Sequence, residues 1–368
     1  MTIQTREIPC RSGKLGVITL NSPETLNALS PALLRALQTQ LDTWAEDDDV
    51  CLVLITANGD RAFCAGADLR ELYRALGDDA SVDPVNELFA PEYRMDYTLH
   101  TFPKPVITLA HGITMGGGMG LLQASRYRLI TPDTVMAMPE ASIGLFPDAG
   151  ASWFLNRLPG SIGLFMGLTG ARLNASDAMR VGLADLVIER RQGEELISRI
   201  TDQHWTGEIA ADDNRLFRLL DQTEETSPSL LPDSELARYE QDIARLCRRD
   251  ELPRVVDRLL QSPPGNDWWN ACIDRLRHAC PVSLLLLERQ LSHGLQMSLK
   301  DIFRMELAMA ARCVAQPDLR EGIRARMIDR DQCPGWTYRS VTDIPEDTIE
   351  RYFEAPWPEQ EDPLGDLS

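Results

Sequence analysis

Residues 105–120 read Pro105-Val106-Ile107-Thr108-Leu109-Ala110-His111-Gly112-Ile113-Thr114-Met115-Gly116-Gly117-Gly118-Met119-Gly120. A run of strand length, Pro105 to Ala110, leads into a glycine-rich turn, and the turn opens a helical pattern through Ala124. A strand without a polar face is covered on both sides, as in a parallel sheet. Three successive glycines at 116–118 leave main chain where no side chain fits, which suits a ligand lying against backbone. The same glycines would also serve a tight strand-to-helix crossing. A turn that opens a helix leaves free N–H groups where partial positive charge accumulates.

The pattern recurs upstream. The apolar strand Val50–Ile55 precedes Arg61-Ala62-Phe63-Cys64-Ala65-Gly66-Ala67-Asp68-Leu69, and a helix follows from about Asp68. Two N–H groups aimed at one point would hold a carbonyl oxygen as it becomes an oxyanion. Downstream, Tyr127–Thr131 and Val135–Met138 read as strands, and the loop Met138-Pro139-Glu140 through Gly144-Leu145-Phe146-Pro147-Asp148-Ala149-Gly150 follows. Glu140 lies among Met136, Met138, Ile143, Leu145 and Phe146. Poor solvation there raises a carboxyl pKa and suits it to general base or acid work near neutrality. Asp148 lies eight residues on, far enough for the chain to double back and face both carboxylates into one cavity. The competing roles for Glu140 are a helix cap or an ion pair with Arg126 or Arg128.

Around these segments, Lys14–Leu20 reads as a strand, and Ser30 caps a helix carrying Leu33, Leu37, Leu41 and Trp44 at helical spacing. A further helical stretch covers about 85–101. Strands alternating with helices imply right-handed βαβ units in an α/β fold. One open parallel sheet and a spiral of ββα turns both satisfy the pattern. Beyond about 190 only helices are expected, at Glu194–Gln203, Glu235–Arg249, Leu252–Gln261, Trp268–Ala279, Ser283–His293 and Leu299–Ala315. The expected organisation is an α/β core over 1–190, a helical region over 191–355 and a loosely ordered acidic, proline-rich tail over 356–368.

A net charge of −19 over 368 residues excludes nucleic acid as a partner, since a phosphate backbone demands a basic face. An anionic ligand still fits if a few arginines gather locally. No apolar run approaches the ~20 residues that span a bilayer, so no membrane partner is expected. The first residues carry neither a signal-peptide core nor transit-peptide character, and a cytoplasmic location is the expectation. The eight cysteines show no CxxC pair or zinc spacing and the five histidines no HExxH, so reduced thiols and no catalytic metal are expected. Met115–Gly120 lacks the dinucleotide-binding GxGxxG, and the chain carries neither a phosphate-binding GxxxxGK[ST] nor a nucleophile-elbow GxSxG. His111 is expected to brace the second turn and Cys64 to be a buried, inert thiol.

The first turn, Phe63 to Asp68, and the Gly116–Gly118 turn resemble the two oxyanion segments of the enoyl-CoA hydratase/isomerase (crotonase) superfamily. Within it, His111–Gly118, Met138–Asp148, Pro281-Val282-Ser283-Leu284 and Glu321 through Gln332 resemble the 3-hydroxyisobutyryl-CoA hydrolases. The resemblance covers nearly the whole chain. It implies a crotonase-like spiral of ββα units with an extended helical C-terminal part, and an acyl-CoA substrate bound without a further cofactor. By motif position the oxyanion N–H groups are those of Ala67 and Gly117, with Ala67 standing where the family commonly has glycine. Ala65 and Asp68 belong to the CoA-binding segment. Arg61 and Arg70 are placed for CoA phosphates, or are solvated surface charges.

Hydratases of the superfamily use two glutamates, one on the helix after the glycine triplet; that position is Gly120 here. The chain keeps Glu140 and adds Asp148, the hydrolase pattern, and Glu92 matches by motif a glutamate that contacts the acyl part. The resemblance thus implies thioester hydrolysis of a short 3-hydroxyacyl-CoA such as 3-hydroxyisobutyryl-CoA or 3-hydroxypropionyl-CoA, as in valine catabolism. Hydration or isomerisation of an enoyl-CoA is the alternative. Many crotonases are trimers through C-terminal helices, so a homo-oligomer is open, although the longer C-terminal half could instead fold over its own core.

Overall fold

The computed structural model describes residues 2–77, 83–223 and 228–368. These residues form two compact units. The first comprises Met1–Gly66, Met95–Met136 and Leu173–Ser234, and the second Ala67–Arg94, Ala137–Arg172 and Glu235–Ser368.

The strands are β1 (Ile3–Pro9), β2 (Lys14–Leu20), β3 (Val50–Ala57), β4 (Ala62–Cys64), β5 (Val106–Ala110), β6 (Ile113–Met115), β7 (Tyr127–Ile130), β8 (Val135–Ala137) and β9 (Leu186–Val187). A six-stranded sheet has the order β1-β2-β3-β5-β7-β9, and a three-stranded sheet the order β4-β6-β8. Apart from the antiparallel β1–β2 pair, the pairings of the larger sheet are parallel. Successive strands alternate between the sheets: β3, β5 and β7 lie in the larger, and β4, β6 and β8 in the smaller. That alternation selects the spiral of ββα turns over one open sheet. Seven of the eight residues of β3 are buried, as a strand covered on both faces requires.

Helix α1 (Pro31–Glu46) starts where expected, with Ser30 Oγ accepting from Leu33 N at 3.3 Å. Its Leu33, Leu34, Leu37, Leu41 and Trp44 are buried. The ring of Trp44 lies on Gly16 of β2, where an added Cβ would sit 2.7 Å from it. Helices Gln192–Thr201 and Ile209–Asp221 send Leu196, Ile200, Leu216 and Leu219 into the cluster that holds Leu15, Val17, Leu52 and Leu54 of the strands. Shared apolar surface thus ties 173–234 to the sheet unit, and the break expected at 190 is not where the chain parts.

The second unit joins α2 (Leu69–Ala75) and the start of α3 (Ala90–His100) with the loop–helix stretch 137–172 and the helices from Glu235 onward. Within it, Gly167 of helix Ile162–Thr169 faces Leu287 of helix Pro281–Gly294 so closely that a Cβ would come within 2.6 Å. The six helices expected beyond 190 form within a few residues of their expected ends. Several elements escaped the sequence reading: strands β1, β4, β6 and β9, helix Ala175–Val181 and helix Ile209–Asp221.

The tail is a correction. Leu364 is fully buried, Arg94 pairs with Asp366 at 2.7 Å and donates to Pro363 O at 2.7 Å, and Arg304 donates to Leu364 O and Gly365 O. Acidic, proline-rich composition concealed two apolar anchors, Leu364 and Leu367, and two arginines that satisfy the tail's carbonyls. Replacing Leu364 by alanine is expected to cost about 2–5 kcal/mol, as for other buried leucines. An unchanged thermal midpoint for that variant would show the tail to be undocked.

Candidate functional site

The two glycine-rich turns meet in the first unit. Strands β4 and β6 pair in parallel, with Phe63 N donating to His111 O at 2.7 Å and Ile113 N to Arg61 O at 3.0 Å. Gly66 has φ +93°, and a Cβ there would meet Met115 O at 2.9 Å and Gly117 N at 3.3 Å. At Gly118 a Cβ would meet Cys64 O at 2.2 Å. The turns therefore pack backbone on backbone, and only glycine permits it. Gly116, at φ +53°, caps helix α4 (Gly117–Gln123). The N–H of Gly117, first in that helix, has no partner within it. His111 Nε2 lies 2.9 Å from Gly59 O, bracing the loop as expected, and burial lowers its pKa. Cys64 is fully buried.

Asp68 caps α2, its Oδ1 accepting from Arg70 N and Glu71 N at 3.1 Å each, so its carboxylate is committed to the helix. Ala65 and Ala67 are half-buried. Arg61 and Arg70 are exposed.

The carboxyl groups gather in the second unit. Glu92 sits in the first turn of α3. Glu140 opens the 3-10 turn Glu140–Ile143 after Pro139, and Gly144 closes it at φ +78° with its N–H on Glu140 O. Helix Pro317–Ile323 packs on that turn so tightly that a Cβ on Gly144 would meet Asp318 O at 2.4 Å. Asp148 follows, before two left-handed residues, Ala149 at φ +53° and Gly150 at φ +82°. Glu92, Glu140 and Asp148 are each no more than 5% exposed. Tyr93, fully buried, donates from Oη to Asp148 Oδ2 at 2.7 Å. Glu140 Oε2 is buried without a hydrogen-bond partner.

Neither competing role for Glu140 survives. Arg126 pairs with Asp213 at 2.8 Å and Arg128 with Asp185 at 2.6 Å. Glu140 is the first residue of its turn, and no side-chain hydrogen bond from the N-cap position, Pro139, closes the start of that turn.

Burial governs the titration of this cluster. It raises Glu140 well above the ordinary glutamate value, and the charge of Asp148 raises it further. Glu92 is raised by the same two causes. Burial pushes Asp148 up to about 6, against the stabilising hydrogen bond from Tyr93. The three carboxyls thus lie within electrostatic reach of one another, and Asp148 ionises at the expense of its neighbours' charge. Such a cluster can take up and release protons near neutrality.

Sequence reading missed Tyr93, Glu306 and Gln290. Glu306, fully buried on helix Leu299–Val314, accepts from Gly150 N at 2.8 Å and Ser152 N at 2.9 Å. Gln290 Nε2 donates to Pro147 O at 2.6 Å. The available signal was an acidic residue at 306 sharing a helical stripe with Phe303, Leu307 and Ala310. Among the described residues no group of three or more His, Cys, Asp or Glu side chains is arranged to hold a metal ion, and no helix is long and apolar enough to cross a membrane.

The model of the enoyl-CoA hydratase/isomerase family matches residues 15–353, and the chain belongs to that family. It is similar to the mitochondrial 3-hydroxyisobutyryl-CoA hydrolase of Danio rerio, with 36% identity over 349 residues covering 93% of this chain and 88% of that protein. The enzyme of that name from Homo sapiens is 31% identical over 359 residues, covering 94% and 87%. Among solved structures, an enoyl-CoA hydratase from Rhodobacter sphaeroides 2.4.1 superposes with a TM-score of 0.82 at 30% identity, covering 97% of this chain and 98% of its own. A carnitinyl-CoA dehydratase from Mycobacterium thermoresistibile gives 0.83 at 27%, covering 100% and 99%. The fold is therefore crotonase-like, with a helical C-terminal part.

The titration of Asp148 has a consequence for stability. Its folded-state pKa, about 6, lies above the ordinary aspartate value of 3.8, so the folded chain keeps a proton that the unfolded chain has lost. Ionisation in the folded state then costs stability as pH rises from about 4 through 6. Asp148→Asn is expected to gain stability over wild type across that window, on the order of 1 kcal/mol or more, and to hold the gain above it. Thermal unfolding of both proteins from pH 4 to 8 checks this; a difference independent of pH would contradict it.

Proposed function

We propose that this protein hydrolyses the thioester of a short 3-hydroxyacyl-CoA, with 3-hydroxyisobutyryl-CoA the favoured substrate and 3-hydroxypropionyl-CoA a second. The observation that carries this reading is the buried Glu140, with an unpartnered oxygen and Asp148 in electrostatic reach, in a chain whose Gly120 removes the second hydratase glutamate. The names of its curated relatives support the same activity. In the proposed reaction the N–H groups of Ala67 and Gly117 stabilise the thioester oxygen as it gains charge. Ionised Glu140 either adds to the carbonyl carbon or takes a proton from the water that adds. The carbon–sulfur bond then breaks and the CoA thiolate takes a proton from the carboxyl cluster. On the general-base route this is the proton Glu140 took from the water. On the covalent route a water then cleaves the Glu140–acyl anhydride, releasing the free acid and returning its proton to the cluster. Asp148 positions the water or relays that proton. Ala65, Asp68 through its backbone, Arg61 and Arg70 contact the CoA part; the side chain of Asp68 is occupied by the helix cap. A cytoplasmic location and a place in valine breakdown belong to this proposal, and the names of the curated relatives place those enzymes in mitochondria.

Glu140→Gln is expected to lower CoA release about 10²–10⁴-fold, the usual worth of a general base, while CoA-ester binding persists. Stopped-time thiol titration beside equilibrium binding measures both. Wild-type turnover in the variant would remove Glu140 from the reaction.

Glu92 gives the substrate preference its physical basis. Glu92 is 4% exposed on a helical stretch whose Leu88, Phe89, Tyr93 and Met95 are also buried, and burial raises its pKa. A substrate hydroxyl at C3 can supply the polar partner that such a group demands. An unsubstituted acyl chain would leave that demand unmet, at about 1–3 kcal/mol. Hydrolysis of 3-hydroxyisobutyryl-CoA should therefore exceed that of isobutyryl-CoA at least about tenfold in kcat/KM. Glu92→Ala should narrow the ratio more than it slows the plain substrate. Equal wild-type rates on both substrates would refute the role of Glu92.

The similarity to the Rhodobacter sphaeroides hydratase structure supports a second reading, water addition to an enoyl-CoA. Crotonyl-CoA that loses its conjugated absorbance without release of thiol would favour it.

A further inference from the structure

The loop that carries Asp148 is held from three sides by buried side chains of the second unit. Gln290 Nε2 donates to Pro147 O at 2.6 Å, Tyr93 Oη donates to Asp148 Oδ2 at 2.7 Å, and Glu306 accepts from Gly150 N at 2.8 Å and Ser152 N at 2.9 Å. Between these anchors Ala149 and Gly150 are both left-handed, at φ +53° and +82°. A non-glycine residue in that region costs on the order of 1 kcal/mol or more and persists only where its surroundings dictate it. Glu306 stands at the point where dictation is needed. Its two oxygens take one N–H each, one on Gly150 of the strained pair and one on Ser152 two residues beyond.

The same helix acts a second time. Phe303, three residues before Glu306, packs its ring on that of Tyr93, with centroids 6.1 Å apart. One helical face therefore seats the phenol that bonds the Asp148 side chain and anchors the backbone beyond it. Burying a carboxylate solely for fold stability would be a poor choice, because desolvation pushes Glu306 up to about 8.

We propose that Glu306 is a positioning residue for Asp148: it fixes the left-handed turn at 149–150 so that Asp148 and the Tyr93 hydroxyl stay engaged. Helix Leu299–Val314 is by this account part of the catalytic apparatus rather than a cover. The proposal rests on the thioester-hydrolase reading for its effect on rate, while its effect on the loop stands without it.

Glu306→Gln is the decisive variant. It keeps nearly the same volume, but one of its two polar atoms is an NH₂, which faces a backbone N–H and cannot accept. Two measurements on the full chain decide. By hydrogen–deuterium exchange, the peptide over residues 147–153 should exchange at least about tenfold faster than in wild type, the cost of leaving one buried N–H without its acceptor, with the peptide over 281–294 unchanged. In thiol-release kinetics on 3-hydroxyisobutyryl-CoA, kcat should fall at least about tenfold with KM within about twofold, as when an interaction made in the transition state is lost. Glu306→Asp keeps two acceptor oxygens but shortens the reach, and should fall between wild type and Glu306→Gln on both readouts. It decides the matter if Glu306→Gln does not fold. Unchanged exchange at 147–153, or unchanged kcat with faster exchange, overturns the positioning role. If wild type releases no thiol, the proposed function fails, and exchange alone then judges the hold of Glu306 on the loop.

Discussion

Three carboxyl groups, Glu92, Glu140 and Asp148, are buried together, and much of the second unit exists to tolerate that. Water would solvate these charges far better than the protein does, so each pKa moves toward neutrality. The fold offsets part of the cost by holding protons and by one directed donor, the Tyr93 hydroxyl on Asp148. It leaves one oxygen of Glu140 without a partner. A buried acceptor left open in this way is destabilising unless a ligand or water uses it, and that is why such sites mark function.

The backbone around the cluster is shaped by similar constraints. Gly144 sits under Asp318 O, and Gly322 sits on Ile143, so the turn that begins with Glu140 is clamped by helix Pro317–Ile323. The loop with Asp148 is clamped by Gln290 and Glu306. Both clamps come from residues beyond 280. The C-terminal helices thus supply the rigidity that lets Glu140 and Asp148 lie on a turn and a loop instead of on regular elements.

The sequence exposed what depends on local pattern. The strands β3 and β5, the cap at Ser30, the glycine triplet and the apolar setting of Glu140 all followed from residue type and spacing, and the structure holds them as expected. Choosing a spiral over an open sheet required knowing which strands pair, a long-range fact that alternation along the chain does not encode. The strands β4 and β6 were hidden because each is a three-residue piece inside one of the glycine-rich segments that read as turns. Glu306 was hidden because a single acidic residue in an amphipathic helix normally faces solvent, and only the neighbouring N–H groups of Gly150 and Ser152 give it a reason to be inside. The tail misled for the opposite reason: its composition is that of a solvated segment, yet two leucines and two arginines dock it.

The central claim is that burial-shifted carboxyls cleave a thioester, and the pH dependence of thiol release tests it most directly. With 3-hydroxyisobutyryl-CoA as substrate, kcat/KM should fall as pH is lowered through an acid limb lying well above the ordinary glutamate range of about 4.3. The group that must lose its proton, Glu140, is raised by burial and by the charge of Asp148. A rate that stays level down to about pH 4.5 would contradict the account, as would the absence of thiol release at every pH.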